Sequence, residues 1–151
     1  MPDRDPNHLY PEFRAKFFSA MEEMANWLSI HKPGYGIQII EGFRSTARQK
    51  ELYAQGRTTP GAIVTQKNGT TNKSNHQSAL AADVGIFKGK SYIEDPEARI
   101  MDYWGHCLRA QGLVWGGDWK TFKDYPHCEW PTTDKATYAK AKQWMKEQGL
   151  V

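Results

Sequence analysis

The chain has 151 residues, of which 39% are hydrophobic, 25% charged and 13% aromatic, with six Trp. That is enough for one domain with a real core and too little for two, and the aromatic content argues against disorder. The 20 basic and 17 acidic side chains leave a charge of +3 without any Lys/Arg stripe. Nucleic acid is therefore not an expected partner, although the charge favours adhesion to an anionic surface.

Met1 to Pro11 is polar, so no signal peptide, no membrane span and no stable membrane association are expected. From Pro11 to His31, Phe13, Phe17, Met21, Met24 and Leu28 recur at three- and four-residue spacing. That is the stripe of an amphipathic helix packing on its own core rather than in a partner groove. Pro11 suits its first turn, and Lys32-Pro33-Gly34 stops it. Tyr35 to Phe43 alternates, with Ile37 and Ile39 on one face, and predicts a strand. Ser45 or Thr46 caps a second helix to about Gln55, ended by Gly56. Arg57 to Asn75 is rich in Thr, Gly, Asn and Lys and reads as a long loop, a feature that in compact domains is usually functional or mobile. Leu80 to Phe87 is an apolar run broken only by Asp83 and Gly85. Asp95-Pro96 opens a third helix to about Gln111, ended by Gly112. Two short strands follow, Leu113 to Trp115 and His127 to Trp130, with Gly116-Gly117-Asp118-Trp119 after the first. Thr133 or Asp134 caps a last helix carrying Tyr138, Ala141, Trp144 and Met145, closed by Gly149. The order predicts an α+β domain, a small antiparallel sheet with helices segregated from it.

His76, Asp83 and His127 are two imidazoles and a carboxylate, the ligand set of a catalytic zinc site that keeps one position open for water. A carboxylate inside an apolar run is costly to bury bare, and a metal gives Asp83 its partner. Asp124, three residues before His127 and joined to it through the stiff Pro126, stands where a general base would. The competing reading is that each His is a surface or satisfied core residue, and the spacing lacks the economy of the His-Glu-x-x-His metalloproteases. Cys107 and Cys128 make no disulfide framework. Each adjoins a His, so a Cys/His metal site competes with two small buried hydrophobes in a reducing compartment. Asp118 is assigned to the turn after Gly116-Gly117, accepting from backbone amides there. Trp27, Trp104 and Trp144 belong to helical apolar faces. Trp115, Trp119 and Trp130 flank the candidate site, as its wall or as sugar platforms.

Three ordered segments carry a resemblance. They are Glu41-Gly42-Phe43-Arg44-Ser45 with Ala47-Arg48-Gln49 and Leu52-Tyr53-Ala54-Gln55-Gly56-Arg57; Ser74-x-His76 with Asp83; and Val114-Trp115-Gly116-Gly117-Asp118-Trp119 with Asp124-x-Pro126-His127-x-Glu129. Together they resemble the motifs of L-alanyl-D-glutamate endopeptidases, which belong with the D-alanyl-D-alanine carboxypeptidases and dipeptidases. The resemblance implies a hedgehog/D,D-peptidase-like zinc fold and one Zn2+ held by His76, Asp83 and His127. It also implies a catalytic carboxylate at Asp124. Arg44 would bind a substrate carboxylate or stabilise the oxyanion, the alternative being a surface ion pair. Ser74 would hydrogen-bond substrate or orient a ligand, the alternative being a turn cap. The chain departs from the family at Ala79, where Gly is usual, and at Cys128, where Phe is frequent. The Cys128 side chain should point away from that of His127, because neighbours in a strand alternate.

The function implied is hydrolysis of the L-alanyl-D-glutamate bond of the peptidoglycan stem by a monomeric zinc enzyme. One alternative is a D,D-carboxypeptidase or dipeptidase acting on D-Ala-D-Ala. The other is a zinc-containing binding module without catalysis, which would have no use for Asp124. Residues 1–151 read as a single catalytic domain without a wall-binding module. That arrangement fits a phage or prophage endolysin for a thin Gram-negative-type wall, made in the host cytoplasm and released by a holin.

Overall fold

The computed structural model describes residues 1–151. Its helices are α1 (Pro11–His31), α2 (Thr46–Ala54), α3 (Ala98–Ala110) and α4 (Lys135–Glu147). Its strands are β1 (Tyr35–Glu41), β2 (Ala81–Lys88), β3 (Ser91–Tyr92), β4 (Val114–Trp115) and β5 (His127–Glu129). They form one antiparallel sheet in the order β1-β2-β5-β4, with β3 paired to the far end of β2. The expected α+β architecture is observed.

Local signals place most of the helices. α1 begins and ends at the expected residues and buries Phe13, Phe17, Ala20, Met24 and Leu28. Met21, expected in that stripe, packs at the edge of the core instead. Phe13 and Phe17 stack with centroids 5.7 Å apart, and Trp104 of α3 meets Phe17 edge-on at 6.3 Å. Burying a large apolar side chain of this kind contributes about 1.5–3 kcal/mol. The Ser45 hydroxyl accepts from the Arg48 amide and caps α2. Asp134 caps α4 through the Thr137 amide and hydroxyl. α3 starts later than expected, at Ala98, and its N-cap Glu97 gives its carboxylate to Lys32 and Arg99 rather than to the helix amides.

The sheet register builds the site. Along β1 the partners on β2 run Ile37 with Ile86, Ile39 with Val84, and then Glu41 with Asp83. Ile40 is the extra residue of a bulge, so Glu41 takes the place opposite Asp83. On the other edge of β2, Asp83 pairs with His127 and Ala81 with Glu129. Paired residues on adjacent strands share a face. Glu41, Asp83 and His127 therefore form one row across three strands, with Glu129 on the next row of the same face. Ala82, Cys128 and Trp115 form the intervening row and face the core. Cys128 thus points away from His127, as strand alternation predicts.

Candidate active site

Arg44, Ser74, His76, Asp83, Asp124 and His127 all line one cavity of about 900 Å³. His76 stands on a short 3-10 turn, Asn75–Ser78, that leads into β2. Ser74 caps this turn by accepting from the His76 amide at 3.3 Å, while the Gln77 side chain reaches back to the Ser74 amide at 2.9 Å. The turn closes at Ala79 with φ 58° and ψ 26°, a left-handed conformation. That explains why Gly is usual here: a Cβ in this region costs roughly 1–2 kcal/mol. Ala79 is held there by complete burial and by the Tyr10 amide, which donates to its carbonyl at 2.9 Å.

Each imidazole is oriented from behind. His76 Nδ1 donates to the Gly42 carbonyl at 2.7 Å, which leaves Nε2 facing Asp83 Oδ1 at 3.4 Å. His127 Nε2 donates to Glu129 Oε1 at 2.7 Å, which leaves Nδ1 facing the same Asp83 oxygen at 3.1 Å. Asn75 donates to the other Glu129 oxygen at 2.7 Å and fixes that carboxylate. One ligand atom from each of His76, Asp83 and His127 lies within 4.8 Å of the others. Ligand atoms about 2.0–2.1 Å from a tetrahedral zinc stand about 3.3 Å apart, and the two imidazole-to-Asp83 spacings of 3.4 and 3.1 Å match that value. The chemistry fits as well. Two nitrogen lone pairs and a carboxylate oxygen converge, and only a proton or a cation between them makes that arrangement favourable.

The charges respond accordingly. Burial raises the Asp83 carboxyl, but His76 and His127 outweigh it and hold the group well below the usual carboxylate range. Burial opposes the charged form of His127, yet its bonds to Asp83 and Glu129 push it up to about 10. Asp124 moves the other way: burial first, and then the Asp83 charge, raise its carboxyl. No protein group hydrogen-bonds that carboxylate; only its backbone is fixed, donating to the Gly116 carbonyl at 3.1 Å and accepting from the His127 amide at 3.2 Å.

The remaining expectations divide. Arg44 is 8% exposed, so it is no surface ion pair. Its guanidinium grips both oxygens of Glu41 at 2.9 and 3.1 Å and Gln49 at 2.9 Å, and it lies 3.9 Å from Asp83. Asp118 does not bond turn amides; its carboxylate pairs with Arg109 at 2.9 and 3.1 Å. Neither Gly116 nor Gly117 has a positive φ. They are needed for the space a Cβ would take, 2.2 Å from the Asp124 carbonyl oxygen and 2.3 Å from the Trp115 ring, respectively. Of the flanking tryptophans only Trp119 lines the cavity, its ring 5.2 Å from that of His127. Trp115 is core, and Trp130 donates to Asp134. Cys107 and Cys128 are free and buried, and neither joins the ligand cluster. Sequence reasoning gave no role to Glu129, Glu41 or Gln49. For Glu129 a signal existed: it stands two residues after His127 on a strand, hence on the same face.

A family model described as D-alanyl-D-alanine carboxypeptidase matches residues 68–130. The chain is 42% identical over 137 residues to the peptidoglycan L-alanyl-D-glutamate endopeptidase CwlK of Bacillus subtilis (strain 168), covering 82% of this chain and 74% of that protein. The chain belongs to the M15 metallopeptidase family. Two solved structures share the M15 fold. The Serratia marcescens L-Ala D-Glu endopeptidase ChiX matches with a TM-score of 0.61 at 22% identity, over 89% of this chain and 92% of its own. The vancomycin resistance D,D-dipeptidase VanXYg matches with a TM-score of 0.56 at 18% identity, over 92% of this chain and 60% of its own.

Proposed function

We infer that this M15 enzyme is a zinc-dependent peptidoglycan endopeptidase that hydrolyses the L-alanyl-D-glutamate bond of the peptide stem. The observation that carries hydrolysis is the convergence of His76, Asp83 and His127 in one cavity with an unpartnered Asp124 carboxylate. The choice of bond is supported by the 42% identity to CwlK. His76 Nε2, Asp83 Oδ1 and His127 Nδ1 would hold a single Zn2+. When bound, the ion supplies Lewis-acid polarisation of the scissile carbonyl and a water of lowered pKa.

The chain's own groups do the rest. Asp124 takes a proton from the attacking water and delivers it to the nitrogen of the leaving glutamate. Its raised carboxyl brings it nearer the working pH, where both transfers are efficient. Glu129 and the Gly42 carbonyl keep the two imidazoles in the tautomers that ligation needs. Arg44 adds positive charge beside Asp83, where the carbonyl oxygen becomes an oxyanion. Ser74 caps the turn under His76 and keeps a hydroxyl proton to donate to substrate. The catalytic unit is a single domain over residues 1–151 that works as a monomer. Its setting is a phage or prophage endolysin, supported by the weakly basic charge of +3. No helix of the structure is long and apolar enough to cross a membrane. Lysis restricted to Gram-positive walls would contradict a thin, Gram-negative-type wall as its target.

Replacing Asp124 with Asn tests the mechanism. kcat on stem peptides is expected to fall by about 10²–10⁴, with one zinc per chain still bound by elemental analysis. Turnover retained in that variant would assign the base elsewhere.

A further inference from the structure

Every acid of the active-site cavity apart from Asp124 has a partner. Glu41 is tied to Arg44 and Arg48, Asp83 lies between the two histidines, and Glu129 holds His127 and Asn75. Two cations of the same cavity differ. Lys67 and Lys73, both on the loop 57–75, line it and form no ion pair with any carboxylate of the chain. Arg44, the third cation there, is already engaged by Glu41 and Gln49. The uncommitted positive charge of the cleft therefore lies on the loop wall.

That wall is pinned from beneath. Gln49 is fully buried. Its carbonyl oxygen accepts from Arg44 at 2.9 Å, and its amide donates to the Lys67 carbonyl at 2.7 Å and to the Thr65 hydroxyl at 3.3 Å. Further along, the Gln77 amide donates to the Gly69 carbonyl at 3.0 Å. Asn68 closes the intervening turn by accepting from the Thr70 and Asn72 amides at 2.9 and 3.0 Å. Lys67 Nζ is steered by Asn72 Oδ1 at 3.2 Å. Ser74, next to Lys73, is fixed by Gln77. Cations on a backbone ordered before substrate arrives bind an anion at lower entropic cost.

We propose that Lys67 and Lys73 form the subsite for the free carboxylate of the acidic residue that follows the scissile bond, with Gln49 as the residue that positions them. The proposal rests on the endopeptidase reading. Glutamate has two carboxyl groups, and whichever one continues the stem, the other remains an anion within one residue of the bond being cut. That anion is carried by the residue whose nitrogen sits at the reacting centre, within one side chain's reach of it, and the loop wall is where this cavity offers cations without carboxylate partners.

The test offers two stem peptides, identical except that the free glutamate carboxylate is an amide in one. The zinc-loaded wild type is compared with a Lys67→Ala/Lys73→Ala double variant. Each lysine is exposed, so both chains should fold, and the ratio of the two kcat/KM values within one protein cancels any loss of active fraction. The wild type is expected to favour the carboxylate by about tenfold, mainly through KM and less at high ionic strength. In the double variant the ratio falls to near one. Lys73→Arg keeps the preference. Gln49→Glu retains an acceptor for Arg44 but loses the donors to Thr65 and Lys67, so it lowers the ratio while zinc content holds. A preference that survives in the double variant, or a wild type indifferent to the amide, overturns the subsite. A wild type that cuts neither peptide at the alanyl-glutamyl bond overturns the endopeptidase reading and the subsite with it, and product masses tell these cases apart.

Discussion

At His127 the two ring nitrogens face different carboxylates, Nδ1 that of Asp83 and Nε2 that of Glu129. Flanked by Asp83 and Glu129, the imidazole holds its proton up to about pH 10, whereas an ordinary His releases it near 6.5. Ligation needs the neutral ring, so metal uptake must expel that proton. The apparent zinc affinity is therefore expected to rise about tenfold per pH unit between roughly pH 6.5 and 8.5, read by competition with a chelating dye. An affinity that levels off above pH 7 would contradict this electrostatic picture. At the same scale, the grouping of His76, Asp83 and His127 beside Asp124, which the structure brings into one cavity, was legible in the sequence because residue type and order carry the chemistry. The duties of Arg44 and Ser74 were half legible. Arg44 reaches the cavity but is bound to Glu41 and Gln49, and Ser74 caps the turn beneath His76. Asp118 was misassigned because its partner, Arg109, comes from another element.

Helix limits at the element scale were written locally. The stripe of α1 and the caps Ser45 and Asp134 are read from neighbours in the chain, and all three appear in the structure. The bulge at Ile40 and the short strand β3 depend on what lies across the sheet, which periodicity does not encode. The Gly116-Gly117 pair shows the same limit. A turn was expected at these residues, and what the structure needs from them is closeness rather than a positive φ. A Cβ at Gly116 would stand 2.2 Å from the Asp124 carbonyl oxygen. Backbone there must shift to admit a methyl, and Asp124 shifts with it. Gly116→Ala is expected to lower stability by about 1–3 kcal/mol and kcat by at least about tenfold, since small misplacements of a catalytic group are costly. Zinc content should stay at one per chain. A variant with unchanged kcat would show that Asp124 is not positioned from this side.

On the scale of the whole molecule, three strands bring Glu41, Asp83 and His127 into one row, and the 57–75 loop closes one wall of the cavity. The loop was legible only as a long polar stretch. Its order comes from buried Gln49 and Gln77, which sit outside it in sequence. The central claim concerns the bond laid across this row. Purified peptidoglycan, digested by the zinc-loaded enzyme and resolved by mass spectrometry, tests it most directly. The expected products are stem peptides with glutamate at a new amino terminus, absent after chelation and restored by zinc. Release of D-alanine or its dipeptide, with the alanyl-glutamyl bond intact, would contradict the account.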